Sequence, residues 1–227
     1  MKAVLWDMDG TLVDSEKLWD VSLAALYDKL GGELTPEVRA SMVGSVAENT
    51  MRIIYNDLGL ELNPASMAES SRWLNDYTAN LFEDGLPWCD GARELLEGLA
   101  AEGIAMALVT NTLRALTDRA LNSIGRQYFS ATVCGDEVAA GKPAPDPYLH
   151  AAALLELAPA ECLAIEDSVT GTAAAERAGC PVLVVPNDVE VPIGRRRWHI
   201  SSLAGLSVAD LRTLHSRLIT QLGERTA

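Results

Sequence analysis

No apolar run in this 227-residue chain exceeds about six residues, as at 104–109, whereas a membrane-spanning helix needs roughly 20. A membrane protein of the helical kind is excluded. Cysteine is sparse: Cys89, Cys134, Cys162 and Cys180 stand far apart, in no CxxC or Cys/His ligand spacing, and read as small buried residues. Basic residues are few as well. The 18 Lys and Arg against 32 Asp and Glu leave a net charge of −14. No basic stripe interleaved with aromatics reverses that field locally, so nucleic acid is not an expected partner. The one basic run, Arg195-Arg196-Arg197, lies between Gly194 and Trp198 and reads as a solvated loop. Repeats and low-complexity tracts are missing too. Met1-Lys2 runs straight into a strand-like segment with no signal-peptide pattern, and the chain is expected in the cytoplasm. What is present is ample core material: 48% hydrophobic residues against 22% charged, in a length that suits one large domain or a core with an insert.

After residue 86, short apolar runs alternate with helix-period segments. Strands are predicted at 3–6, 104–109, 131–134, 162–165, 181–185 and 198–200, and helices at 92–102, 113–124, 146–157 and 172–178. Gly103, Gly125 and Gly179 each stand just past a predicted helix, where a left-handed cap is wanted. This alternation implies an α/β fold with a mostly parallel, doubly wound sheet covered by helices on both faces. Residues 15–86 carry helical patterns (16–30, 46–58, 65–82) and no convincing strand. They read as a helical cap inserted after the first strand, which leaves 1–14 and 87–227 as the core; a last helix is predicted over 208–222.

Four strand ends carry chemistry. The first strand ends in Asp7-Met8-Asp9-Gly10-Thr11, two carboxylates followed by a turn, at the carboxyl edge where open α/β sheets bind ligands. A calcium loop fails as an alternative, since Thr11 and Leu12 stand where further oxygen ligands and a glycine are needed. The run Leu108-Val109-Thr110-Asn111 ends in a hydroxyl and an amide before a helix. Thr110, with the backbone N–H groups of Asn111 and Thr112, suits a phosphate oxygen, although taken alone it reads as a helix cap. Lys142 is fixed between Gly141 and the prolines of Lys142-Pro143-Ala144-Pro145; in isolation it would be a surface charge. Lastly, Ala164-Ile165-Glu166-Asp167-Ser168 is an apolar strand ending in paired acids, which by itself reads as a capping turn.

Together, in this order, the four resemble the motifs of the haloacid dehalogenase superfamily of phosphohydrolases, in its phosphoglycolate phosphatase and β-phosphoglucomutase branch, also marked by Leu12-Val13-Asp14-Ser15. The likeness spans residues 2 to about 206, the cap matching only in length and helical character. The superfamily's other cap position is excluded, because Thr110 to Lys142 leaves room for only a helix and a short strand. The resemblance implies a Rossmann-like core and a phosphatase mechanism. Asp7 is the implied nucleophile, forming an aspartyl-phosphate, and Asp9 the implied general acid and base. Mg²⁺ is the implied cofactor, held by Asp7, the backbone carbonyl of Asp9, Asp167 and Glu166. Lys142 would neutralise charge on the nucleophile and the phosphoryl group, while Thr11, Thr110 and Asn111 contact phosphate.

Asp9 argues against the dehalogenases, which need no acid at that position. A mutase of the β-phosphoglucomutase kind is the first alternative, but the position of that family's cap histidine holds Trp19, and the cap loop 43–48 has no arginine to retain a second phosphate. A silent phosphometabolite-binding protein is the second, and no catalytic position is missing to support it. The cap holds 5 basic against 12 acidic residues, which disfavours leaving groups with extra negative charge. Most of Trp73, Trp88, Met42 and Met51 read as packing, whereas Trp19 and Ser45 are the candidate cap contacts. A small phosphorylated metabolite with a neutral or aromatic leaving group, such as a sugar, polyol, flavin or nucleotide-type phosphate, is the expected partner. A monomer or weak homodimer is the expected state.

Overall fold

The computed structural model describes residues 1–42, 47–83, 85–186 and 190–223. Contacts divide the chain into two compact units, Met1–Asp14 with Pro87–Ala227, and Ser15–Leu86.

The first unit is built on a parallel sheet of six strands: β1 (Ala3–Trp6), β2 (Ala105–Val109), β3 (Ala131–Val133), β4 (Cys162–Glu166), β5 (Val182–Val184) and β6 (Arg197–His199), in the order β3-β2-β1-β4-β5-β6. The central strands are apolar throughout because both faces are covered. On one face Ala3, Leu5, Ala107, Val109, Ala164 and Val182 form a single cluster with Tyr148, Ala151, Ala174 and Ala175. Those last four come from the helices α7 (Asp146–Leu154) and α8 (Val169–Ala178), whose small side chains let the helices approach the sheet. The alternate residues Val4, Trp6, Met106, Leu108, Leu163 and Ile165 are equally buried and point the other way.

The register sets the site. Trp6 lies level with Leu108 on one side and Ile165 on the other, so Asp7, Thr110 and Glu166 emerge near one another at the carboxyl edge. Asp7 N–H still donates to the Ile165 carbonyl at 3.1 Å, and Thr110 N–H to that of Val133 at 3.0 Å. Past Asp7 the chain turns at Gly10, whose φ of +84° calls for glycine, and its N–H closes on the Val13 carbonyl at 2.8 Å.

The second unit holds α1 (Glu16–Leu30), α2 (Pro36–Met42), α3 (Ala47–Asp57) and α4 (Pro64–Glu83). Leu23, Leu26, Tyr27, Met42, Met51, Ile54 and Leu74 form its core. Two tyrosines tie its helices by hydroxyl bonds, Tyr27 to Asp57 at 3.1 Å and Tyr55 with Ser70 at 2.8 Å. The remaining helices of the first unit are α5 (Ala92–Ala101), α6 (Arg114–Ile124) and α9 (Val208–Gly223).

Three sequence expectations are corrected. The basic run is not a solvated loop: Arg197 opens β6 and grips Glu176 at 2.6 Å, Arg196 donates to the Gly179 carbonyl at 2.9 Å, and Arg195 alone is exposed. These bonds pin β6 to α8 and its cap, a use of arginine as a fork of donors to oxygens. Cys89 is half-buried rather than buried, unlike the other three cysteines. Its thiol is still pushed up to about 12 by burial and by the neighbouring Asp14 carboxylate, which disfavours the nucleophilic thiolate. Helix α8 starts at Val169 rather than at 172, because Ser168 caps it by accepting the Gly171 N–H at 3.0 Å.

Candidate active site

Lys142 is buried, its ammonium 2.5 Å from Asp7 Oδ1 and 2.7 Å from Glu166 Oε1. Burial works against a charged lysine, yet the two carboxylates more than offset it and hold the ammonium above its ordinary range. The loop that carries it is fixed by Asn111, whose Oδ1 accepts the Lys142 N–H at 2.8 Å while its Nδ2 donates to the Lys142 carbonyl at 3.1 Å. The Asn111 side chain therefore serves as a clamp on the lysine loop.

Asp7, Glu166 and Asp167 each bring a carboxylate oxygen within 4.8 Å of the others, the one metal-sized acidic cluster among the described residues. Three acids around one ammonium leave negative charge uncompensated. Burial lifts Asp7 to about 7 against the pull of Lys142, with Glu166 and Asp9 adding to the rise. Asp167 rises to about 9, again chiefly by burial, with Asp7 and Glu166 repelling its charge. An oxygen-only donor set in which burial disfavours the charge of Asp7 and Asp167 fits a hard divalent cation such as Mg²⁺. Thr11 stands beside it, its hydroxyl 3.4 Å from Asp167 Oδ1. A cavity of about 250 Å³, lined among others by Gly10, Thr11, Asp14 and Ser202, adjoins this turn.

Asp9 lies apart from the cluster. Its Oδ2 accepts two hydroxyls from the loop after β2, Thr110 at 3.2 Å and Thr112 at 2.7 Å. Thr110 also caps that loop, accepting the Thr112 N–H at 3.0 Å, so the cap reading and the site reading of this residue coexist.

The structure adds residues that the motifs do not announce. Tyr148, fully buried on α7, donates to Glu166 Oε1 at 2.5 Å, and Lys142 Nζ stands 5.2 Å from its ring centroid. Ser168 donates to Glu166 Oε2 at 3.1 Å. Gly171 leaves the space in which that carboxylate sits, because a Cβ there would overlap it. The one sequence signal was Tyr148 itself, a large polar-tipped residue on the same helix face as Ala151 and Ala152. In the second unit, Trp19 is half-buried against the apolar cluster, and Trp73 stacks on Tyr77 at 5.0 Å between ring centroids. Trp88 belongs to the core unit. Ser45 and the loop around it lie outside the described residues.

The parallel sheet, with a buried lysine among carboxylates at its carboxyl edge, has the architecture of an α/β enzyme whose site can hold an anion and a cation together. The chain belongs to the haloacid dehalogenase-like hydrolase family, whose model matches residues 4–185. It is 34% identical over 192 residues to a phosphoglycolate phosphatase of Thiobacillus denitrificans, covering 82% of this chain and 83% of that one. It is 33% identical over 187 residues to the bifunctional riboflavin kinase/FMN phosphatase of Arabidopsis thaliana, covering 81% of this chain and 48% of that protein. Among solved structures it is similar to CbbY of Rhodobacter sphaeroides in complex with xylulose-1,5-bisphosphate, at a TM-score of 0.82 and 25% identity, covering 93% of this chain and 99% of that one. By family the chain is a phosphoric monoester hydrolase.

Proposed function

We propose that the chain is an Mg²⁺-dependent phosphatase of a small phosphomonoester, working through a phosphorylated Asp7. The observation that carries this is the buried Lys142 bridging Asp7 and Glu166 beside Asp167. A carboxylate nucleophile must meet a phosphate dianion, and repulsion forbids the approach unless positive charge is already in place. Lys142 supplies one such charge at Asp7 Oδ1, which directs Asp7 Oδ2 toward phosphorus. Asp7, the Asp9 carbonyl and Asp167, with Glu166 behind, would hold Mg²⁺, which when bound offsets charge on the nucleophile and the transferring group. Thr110 and the backbone N–H of Asn111 would hold phosphoryl oxygens at the start of α6. Asp9 protonates the departing oxygen, and then takes a proton from the water that cleaves the acyl phosphate.

On the leaving group, the acidic cap supports a neutral or aromatic one, a sugar, polyol or flavin-type phosphate, over phosphoglycolate. The relative named for FMN, whose leaving group is a neutral aromatic alcohol, is consistent with that class. Hydrolysis is favoured over mutase chemistry by Trp19 at the family's histidine position. Phosphate release from p-nitrophenyl phosphate with Mg²⁺ tests the activity: Asp7→Asn and excess EDTA are each expected to abolish it. Full turnover after exhaustive chelation rejects the metal, and full turnover by Asp7→Asn rejects the covalent route. A panel of sugar, polyol, flavin and carboxylate phosphates compared by kcat/KM tests the substrate class.

A further inference from the structure

We propose that Thr112 is a positioning residue that keeps the Asp9 carboxylate aimed while substrate is bound; this rests on the phosphatase reading above. Two hydroxyls meet Asp9 Oδ2, that of Thr112 at 2.7 Å and that of Thr110 at 3.2 Å. A hydroxyl has one proton to give. The Thr110 proton is directed at Asp9 while its oxygen already accepts the Thr112 N–H at 3.0 Å. If Thr110 is to donate to a phosphoryl oxygen, it must withdraw that proton from Asp9. Thr112 is then the hydroxyl left holding Oδ2.

The backbone of Thr112 is fixed well enough for that task. Its carbonyl accepts the Gly135 N–H at 3.2 Å and the Thr117 hydroxyl at 3.4 Å, and Thr117 is fully buried in α6. Thr112 thus holds the carboxylate that transfers the proton. As the ester P–O bond breaks and the Asp7–phosphorus bond forms, the proton of Asp9 passes to the leaving oxygen. In the second half the Asp9 carboxylate receives a proton from the attacking water, whose oxygen bonds phosphorus as Asp7 departs. The strand-end reading used only the backbone N–H of Thr112, and the resemblance assigned its side chain nothing.

Removal of an acid's support matters in proportion to how badly the leaving group needs a proton. Thr112→Val keeps the branched shape and deletes the donor. Its kcat/KM is expected to fall ten- to a hundredfold on an alkyl phosphate such as β-glycerophosphate and no more than about threefold on p-nitrophenyl phosphate, whose leaving group departs unprotonated. Thr112→Ser, which keeps the hydroxyl, is expected to hold the wild-type ratio between the two substrates. Equal losses on both substrates, or no loss, overturn the assignment and leave Thr112 as a loop residue. Should the valine variant fail to fold, a serine variant with an altered ratio overturns it equally. If the wild type releases phosphate from neither substrate, the phosphatase reading itself falls and takes this assignment with it.

Discussion

Replacing the proposed nucleophile should make the metal-free protein more stable. Asp7 is held at about 7 in the fold against an ordinary 3.8, mainly because its charge is buried. At about 1.36 kcal/mol for each tenfold in proton affinity, the ionised carboxylate costs the native state about 4 kcal/mol relative to the unfolded chain. The sign follows from proton counts: a raised carboxyl keeps its stability contribution below about 4 and loses it as pH climbs to about 7, after which the deficit is constant. Asp7→Asn has no charge to bury. The pull of Lys142 is already contained in that value, because it is among the causes that set it. A gain of a few kcal/mol, up to about 4, is expected, at about 2–4 °C in Tm for each kcal/mol in a chain of this length. Thermal unfolding in EDTA at pH 5 and pH 8 checks it, with the larger gain expected at pH 8. Added Mg²⁺ should reverse the order, since binding stabilises only the chain that keeps its ligand. A variant less stable than wild type at pH 8 in EDTA refutes the view that the site stores unbalanced charge.

Tyr148→Phe deletes a hydroxyl bonded to a buried carboxylate, and should lower Tm by roughly 3–12 °C, from about 1.5–3 kcal/mol, together with kcat, measured by melting and steady-state assay. Gly171→Ala gains about 1 kcal/mol of helix propensity but drives a methyl into the Glu166 carboxylate; a net loss of about 1–2 kcal/mol and reduced turnover are expected in denaturant titration and assay. Because Asp7 and Asp167 resist ionisation up to about 7 and about 9, Mg²⁺ binding should release protons and tighten as pH rises from 6 to 9. Calorimetry in buffers of different ionisation heat reads the proton count, and an affinity flat across that range contradicts the predicted linkage.

The parallel core was legible because its central strands are unbroken apolar runs set off by glycines. The helix Pro36–Met42 was not, since seven residues hold too few turns for a period to show. Strand β6 was displaced by one residue, from 198–200 to Arg197–His199, because an arginine paired with Glu176 reads as polar until its partner is known. In the site, Asp7, Lys142, Glu166 and Asp167 could be picked out because each ends a strand or sits in a proline-bounded loop. Ser168 and Thr112 could not, and Tyr148 offered only its polar tip on an apolar helix face. Their importance lies in a single hydroxyl each, aimed across the fold at a carboxylate, and no spacing along the chain encodes that direction.

The register of the first strand has a consequence for assembly. Ala3 aligns with Ala105 on one side and with Cys162 on the other, so the middle of the sheet cannot close until most of the polypeptide has been made. Contacts this distant in sequence form slowly. The helical insert between residues 15 and 86 has only near neighbours to find and can condense earlier, while the segment bearing Asp7 waits for both flanks. During synthesis the segment bearing Asp7 is thus installed among the last elements, next to Lys142, and partly folded chains have no assembled carboxylate cluster.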